Sequence, residues 1–282
     1  SLTMLAGRHR FGLLIGDYQR ELLTGSKPTS ATLCKRADGF YHIHIQVKSD
    51  PPPQQEVPDV LGVDLGRTDI AVTSEGEQFC GQQLKKIRDH HTKTRASIQR
   101  RASKGTRSSR RRCRQLLKRL SGKERRFQAW INHTISSRLT KQAISRGQAI
   151  ALEDLTGIRE RTNQMPRSKA ERRRSNSWSF YQLRQFLTYK CLGLGVKLIL
   201  VNPAYTSQAC HRCGHIHPVR GESYRQGKKF ACGHCGWVGD ADLNGAKNIQ
   251  TLGATVNRPE GSGWACSLVD HVRLRAVESS VL

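Results

Sequence analysis

The sequence has few acidic residues and no long apolar stretch. Asp and Glu number 22 against 48 Lys and Arg, which leaves a formal net charge of +26 over 282 residues. Such an imbalance predicts a polyanionic partner, with nucleic acid well ahead of a membrane surface. There is no run of about 18 apolar residues and no signal-peptide core near the N-terminus, so we expect a soluble intracellular protein of the cytoplasm, associated with the nucleoid.

The nine cysteines lack the spacing of a disulfide framework. Five of them are scattered singly, as expected of reduced thiols, at Cys34, Cys80, Cys113, Cys191 and Cys266. The other four form two Cys-x2-Cys pairs, Cys210–Cys213 and Cys232–Cys235, separated by eighteen residues. Two such pairs predict a tetrahedral thiolate site for one structural Zn²⁺ ion. The adjacent alternative ligands, which we expect to be neighbours of the site, are His211, His215 and His234.

Alternation and turn residues predict β-structure in the first third of the chain. Residues 41–47 alternate between apolar and polar, as in a half-buried antiparallel strand, and Asp38-Gly39 before them is typical of a hairpin turn. The proline-rich segment 51–59 predicts a linker after a first domain over residues 1–50. Beyond it, the runs 60–64 and 70–73 predict a further hairpin, with a third strand near 78–80.

A block of positive charge follows the predicted hairpin. Residues 85–126 contain eighteen Lys or Arg and two acids, and the pattern breaks near Gly105, which favours two basic helices within a helical region over 85–145. Such a block is either a solvated arm or a face that binds phosphates. We favour the phosphate-binding face, because apolar residues at helical spacing are available to anchor these helices to a core: Leu116, Leu117, Leu120, Phe127 and Trp130.

The remaining elements alternate between strands and helices. Short apolar runs predict buried strands at 149–152 and 196–201. Between them, apolar residues at helical spacing predict a helix that contains Leu183, Leu187 and Cys191. Another helix is expected from about Asp242, after an insert over 203–238 that contains the four paired cysteines. Residues 253–282 show no pattern and are expected to form a C-terminal tail to a second domain over 60–252.

Three acids stand at element ends, and they suggest catalysis. Asp64 and Glu153 end predicted strands, and Asp242 begins a predicted helix. Each has a plain structural alternative: a turn acceptor, a surface acid and a helix N-cap, respectively. Together, three carboxylates would repel one another unless cations compensate, and two Mg²⁺ ions about 3.5–4 Å apart would do so while clamping a phosphodiester. Asp240 is the competing ligand, which we expect to be a cap or an outer neighbour.

The motifs in combination resemble TnpB (OrfB), a family of transposon-encoded RNA-guided endonucleases related to type V CRISPR effectors. The segment Gly62–Gly66 resembles the family's first RuvC motif and Leu152–Leu155 the second. The other matching segments are Trp178–Leu183, Pro203–Gly214, Phe230–Gly236 and Asp240–Ile249. The resemblance spans roughly residues 10–252, and residues from Gly16 through Val47 resemble the last part of a β-rich wedge domain.

The resemblance implies an α/β fold with an RNase H-like (RuvC) nuclease domain, a mixed sheet, a zinc-ribbon insert and a partial wedge domain. It also implies that Asp64, Glu153 and Asp242 bind two catalytic Mg²⁺ ions, and that DNA is the substrate and a guide RNA the partner. Family members carry further wedge strands and a helical recognition lobe before the position of Ser1. We therefore expect a chain that is incomplete at its N-terminus, and RNA guidance that depends on that lobe.

Two other functions fit parts of the pattern. A non-catalytic module could bind nucleic acid through its basic helices and ribbon, and such a module would need none of the three acids. A transposase could use an RNase H-like fold to join strands as well as cut them. The retained acids and the TnpB-like motifs favour a nuclease that cuts without joining.

Overall fold

The computed structural model describes residues 2–4, 7–36, 39–48, 50–157, 164, 166, 168 and 180–257. The chain forms two compact units, Ser1–Pro51 and Pro52–Leu282. Trp178, the first residue of one matching segment, and most of the predicted tail lie outside the described residues. Among the described residues, no helix is both long enough and apolar enough to cross a membrane.

The first unit consists of two hairpins and one short helix. Strands β1 (Leu2–Met4) and β2 (Gly7–His9) pair antiparallel, and helix α1 spans Asp17–Leu23. Strands β3 (Pro28–Lys35) and β4 (Tyr41–Val47) form the longer hairpin. Its turn includes Gly39 at φ 90°, a backbone conformation that favours glycine. The antiparallel strand predicted over 41–47 is therefore confirmed.

The second unit is built on a mixed five-stranded sheet in the order β7-β6-β5-β8-β9. Its strands are β5 (Asp59–Asp64), β6 (Asp69–Thr73), β7 (Gln78–Cys80), β8 (Gln148–Glu153) and β9 (Leu198–Val201). β7, β6 and β5 pair antiparallel, whereas β5, β8 and β9 run parallel. The predicted mixed α/β sheet is thus present. The last strand begins at Leu198, two residues later than predicted.

Three consecutive helices connect β7 to β8. They are α2 (Gln82–Lys104), α3 (Arg107–Leu120) and α4 (Lys123–Arg146). The break between α2 and α3 falls at Gly105-Thr106, where the Thr106 hydroxyl accepts a hydrogen bond from Ser109 N. This is a side-chain N-cap, and it confirms the predicted division of the basic region.

The residues that anchor the basic helices differ from those that we predicted. Leu116 and Trp130 are exposed, at 39% and 62%, and the other three predicted anchors are only partly buried. The buried residues of α2 and α3 are Leu84 and Cys113 instead. The prediction was wrong because α3 packs mainly on α2, and α4 turns toward the sheet only from Asn132 onward.

Helices cover both faces of the sheet. On one face, α4 and α5 (Phe180–Gly193) pack on β5 and β8 through residues such as Leu139, Leu187 and Leu61. On the other face, α6 (Ala241–Asn257) packs through Ile249 and Leu252. The domain boundary that we predicted between residues 252 and 253 lies inside α6, because the helix continues to Asn257. The last residue of the helix still contacts the rest of the unit. There Asn257 Nδ2 donates to Val57 O over 2.7 Å.

Between β9 and α6 lies a small three-stranded sheet, and the paired cysteines lie in the turns next to it. Its strands are β10 (Arg225–Gln226), β11 (Lys229–Ala231) and β12 (Val238–Asp240), which pair antiparallel in that order. Phe230 is fully buried among the cysteines and Ala241. We call residues 203–240 the ribbon.

The close approach of α6 to β5 depends on Gly62. A β-carbon at this position would lie 2.5 Å from the backbone nitrogen of Gln250, and closer still to the Ala246 carbonyl oxygen. Backbone atoms cannot move aside as a flexible side chain can, so α6 would have to shift. That shift would also move Asp242, which lies in the first turn of the helix.

We expect Gly62→Ala to lower the free energy of unfolding by about 1–3 kcal/mol, the usual cost of overpacking. Gly193→Ala is the matched control, because a β-carbon there would meet no atom within 4 Å. Urea denaturation of both variants measures the difference. Equal stability of Gly62→Ala and the unmodified chain would contradict the close contact between β5 and α6.

Candidate active site

Two of the three predicted acids lie at the ends of neighbouring parallel strands. Asp64 is the last residue of β5, and Glu153 is the last residue of β8. The two strands pair in register up to Val63 and Leu152, so both carboxylates follow directly after the last paired residues. In open α/β sheets, ligand sites lie beyond the carboxyl ends of strands. The register therefore places Asp64 and Glu153 side by side at such an edge.

Asp242 reaches the same place from α6. The helix cap is Asp240, whose Oδ1 accepts hydrogen bonds from the backbone nitrogens of Asp242 and Leu243, both over 2.9 Å. Asp240 is thus the predicted cap, and Asp242 is a buried residue of the first turn. One turn later, a β-carbon on Gly245 would lie 3.2 Å from Asp64 Oδ2, so only a small residue fits between the helix and this carboxylate.

The two neighbouring carboxylates perturb Asp64. Burial, followed by the negative charges of Glu153 and Asp242, raises the pKa of Asp64 from 3.8 to about 7, against the opposing charge of Arg225. Burial also raises the pKa of Glu153. Asp64 and Glu153 nevertheless remain partly open to solvent. The cluster therefore presents oxygen ligands with an unfavourable excess of negative charge, the chemistry that suits a hard divalent cation.

Arg225 is a residue of this site that we did not predict. It lies on β10, and its Nη2 donates to Asp242 Oδ1 over 2.6 Å. Its positive charge also opposes the rise in the pKa of Asp64 and of Glu153, without cancelling it. Arg225 lies within the eighteen-residue gap between the cysteine pairs, among other basic residues, and no spacing or periodicity in the sequence distinguishes it.

A loop at the start of the ribbon orients Glu153. The Thr206 hydroxyl contacts Glu153 Oε1 and lies 3.0 Å from Pro203 O. Two buried amides of α6 hold this loop. Asn248 Nδ2 donates to Thr206 O and Ala209 O over 2.8 Å, and Asn244 Nδ2 donates to Ala209 O over 2.7 Å. These bonds explain the asparagines of the Asp240–Ile249 motif, to which we had assigned no role.

The four paired cysteines form a compact sulfur cluster. Their Sγ atoms all lie within 4.8 Å of one another, and the Cys210–Cys235 and Cys213–Cys232 distances are both 3.7 Å. Gly214 and Gly236 follow the two pairs at φ 71° and 73°, and their backbone nitrogens donate to the carbonyls of Cys210 and Cys232. A backbone hydrogen bond from Trp237 lowers the pKa of Cys235 to about 7. The cluster is therefore a possible metal site with four sulfur donors.

The neighbouring histidines and aromatics make other contacts. His211 Nδ1 lies 3.0 Å from Asn244 Oδ1, and His215 stacks on His234 with ring centroids 4.6 Å apart. Trp237 packs edge-on against His211, with ring centroids 4.4 Å apart. Among the described residues, the four cysteines are the one group of three or more possible ligands that lie close enough together to hold a metal ion. Asp64, Glu153 and Asp242 do not form such a group in this structure.

The basic helices present their charge to solvent. Apart from Arg88, every Lys and Arg of α2 and α3 is exposed. Within the part of the chain that the structure describes, Arg88 is also the one cation of these helices with an ion pair, to Glu124. The remaining charge on the α2–α3 hairpin is not neutralised by neighbouring acids, as expected of a surface that binds phosphates.

Comparisons with known proteins agree with these features. A family model described as a probable transposase (OrfB) matches residues 42–156, and one described as a Cas12f1-like TNB domain matches residues 180–249. The CRISPR-associated endodeoxyribonuclease Cas12f1 of Sulfoacidibacillus thermotolerans is 30% identical over 243 residues, which cover 81% of this chain and 54% of the relative. A TnpB-like protein of Methanocaldococcus jannaschii is 33% identical over 166 residues, 59% of this chain and 56% of the relative.

A solved structure is similar in fold. A cryo-EM structure of a Cas12f1–sgRNA–target DNA complex matches with a TM-score of 0.52 at 16% identity, over 76% of this chain and 54% of that chain. The chain spans about half the length of the curated relatives it matches. The two family models and the curated relatives show that the chain is related to the TnpB (OrfB) and Cas12f1 proteins.

Proposed function

We propose that this chain is the nuclease part of a metal-dependent DNA endonuclease of the RuvC (RNase H-like) type, RNA-guided where a recognition lobe is joined to it. The observation that supports this proposal best is the meeting of Asp64, Glu153 and Asp242 at one edge of the sheet, with the pKa of Asp64 raised to about 7. A module that only bound nucleic acid would gain nothing from such mutual repulsion.

The three carboxylates would hold two Mg²⁺ ions, which when bound polarise a phosphate and stabilise the attacking and leaving oxygens of its cleavage. Thr206 would keep Glu153 in one orientation, and Asp240 would fix the helix turn that presents Asp242. Arg225, now paired with Asp242, offers a cation that can exchange that partner for a substrate phosphate.

The four cysteines would hold one Zn²⁺ ion with a structural role, because four sulfur donors leave no open position for a substrate. The site would tie the two halves of the ribbon together and so keep β10, with Arg225, next to the carboxylates. The exposed cations of α2 and α3 would bind nucleic-acid backbones, DNA and a guide RNA among them. The first unit would form part of a wedge domain.

Removal of a single carboxylate tests the proposal. Purified protein with Mg²⁺ should cut fluorophore-labelled single-stranded DNA, and Asp64→Asn should slow cutting by more than the roughly 10–100-fold typical of losing an outer-shell partner. Asp59→Asn is the matched control, since Asp59 is exposed at the opposite end of the same strand. Its rate should not change.

Full activity of Asp64→Asn would overturn the assignment of the carboxylates. Tight, salt-dependent DNA binding without cutting under any divalent metal would instead identify a binding module. Joined products from labelled transposon ends would identify a strand-transferring transposase.

The same variant should change stability in a pH-dependent way. The folded-state pKa of Asp64 lies above its unfolded value, so the folded chain keeps a proton that the unfolded chain loses between about pH 4 and 7, and stability falls across that window. The difference between 3.8 and about 7 corresponds to at most about 4 kcal/mol, at about 1.4 kcal/mol per pH unit.

We therefore expect Asp64→Asn to unfold at higher urea concentration than the unmodified chain at pH 8, and at a similar concentration at pH 4. Added Mg²⁺ should stabilise the unmodified chain and not the variant. A variant that is equally stable or less stable at pH 8 would contradict the raised pKa of Asp64 in the folded chain.

A further inference from the structure

The ribbon contacts the sheet through a second ion pair, next to Arg225. Lys228 lies in the turn between β10 and β11, and its Nζ donates to Oδ2 of Asp69, the first residue of β6. Asp69 is only 4% exposed, although it is charged and stands beside the strand that carries Asp64. A buried carboxylate needs a partner of opposite charge, and Lys228 is the partner that the ribbon supplies.

The turn that holds Lys228 is also bonded to the start of α6, next to Asp242. Lys228 O accepts a hydrogen bond over 2.7 Å from Ala241 N, the residue before Asp242. Lys228 Nζ lies 4.0 Å from Asp242 Oδ2, and Arg225 Nε donates to Gly227 O over 3.2 Å. Arg225 and Lys228 therefore share one short turn and approach the same carboxylate from its two oxygens.

The β10–β11 hairpin is thus held by backbone bonds and by one side-chain ion pair. Within the ribbon, Arg225 pairs with Phe230, which is buried in the cysteine cluster, and Lys228 O accepts the bond from Ala241 N. Outside the ribbon, Lys228 is bonded to Asp69 on the sheet. Without the bond to Asp69, the turn would keep only its backbone bonds to the ribbon and to Ala241, and a small rotation about them would withdraw the Arg225 guanidinium from Asp242.

We infer that the Asp69–Lys228 ion pair is a positioning device, which fixes the ribbon turn on β6 and thereby holds Arg225 at the carboxylates. This inference rests on the proposed nuclease function. Neither residue needs to touch the substrate. They affect cleavage only by holding Arg225 in place. A substitution at Asp69 or Lys228 should therefore slow cleavage only when Arg225 is present.

A double-mutant cycle tests this dependence. With labelled single-stranded DNA and Mg²⁺ under single-turnover conditions, Lys228→Met and Asp69→Asn should each slow cleavage by about 10–100-fold, as expected for an outer-shell partner. In an Arg225→Met background, adding Lys228→Met should change the rate by less than about 2-fold, because the group that it positions is already gone. Lys229→Met, an exposed neighbour in β11, is the matched control and should keep the full rate.

Equal slowing by Lys228→Met in both backgrounds would overturn the inference, since it would indicate a general structural loss or direct contact with DNA. Unchanged cleavage by Lys228→Met in the unmodified background would overturn it too. Zinc content should be the same in all variants. An unchanged zinc content would show that slower cleavage comes from displacement of the turn and not from unfolding of the ribbon.

Hydrogen exchange gives a readout that does not depend on activity. In Asp69→Asn and Lys228→Met, amides 225–231 and Ala241 N–H should exchange faster than in the unmodified chain and in Lys229→Met. If the unmodified chain cuts no DNA with Mg²⁺ or Mn²⁺, the proposed function fails, and exchange alone decides on the ion pair. Unchanged exchange in both variants would overturn its positioning role.

Discussion

The repulsion among Asp64, Glu153 and Asp242 is the constraint on which the rest of the second unit depends. Burial, followed by the charges of Glu153 and Asp242, raises the pKa of Asp64 to about 7, and its ionised form disfavours the folded chain unless cations compensate. Arg225 and Lys228 compensate part of the negative charge, because they approach the two oxygens of Asp242. We propose that Mg²⁺ completes the compensation. Without bound cations, the three carboxylates lower the stability of the folded chain, a cost that is common at functional sites.

Helix α6 organises this site from one side. Its first turn presents Asp242, Gly245 leaves room for Asp64, and two amides further along hold the loop that carries Thr206. The ribbon then returns Arg225 to the same point from the other side. The sulfur cluster, the loop that contains Thr206 and the first turn of α6 therefore all lie next to the three carboxylates. This arrangement agrees with the short separation in sequence between the last cysteine and Asp242.

The sequence allowed prediction of those features that have a local physical signature. Apolar runs identified β5 and β8, cysteine spacing identified the sulfur cluster, and element ends identified the three acids. Arg225, Thr206 and Lys228 could not be found, because their roles depend on which distant strand they meet. The anchoring leucines of α3 were wrongly predicted to be buried, since helical spacing does not reveal whether a helix packs on a core or on another basic helix.

The central claim is that the three carboxylates form a binding site for two divalent cations. Anomalous diffraction from crystals soaked in Mn²⁺ tests it most directly. The account predicts two manganese peaks about 3.5–4 Å apart, between Asp64, Glu153 and Asp242, and none at these positions in Asp64→Asn. Crystals of the unmodified chain with no manganese among these carboxylates, and with Arg225 still paired to Asp242, would contradict it.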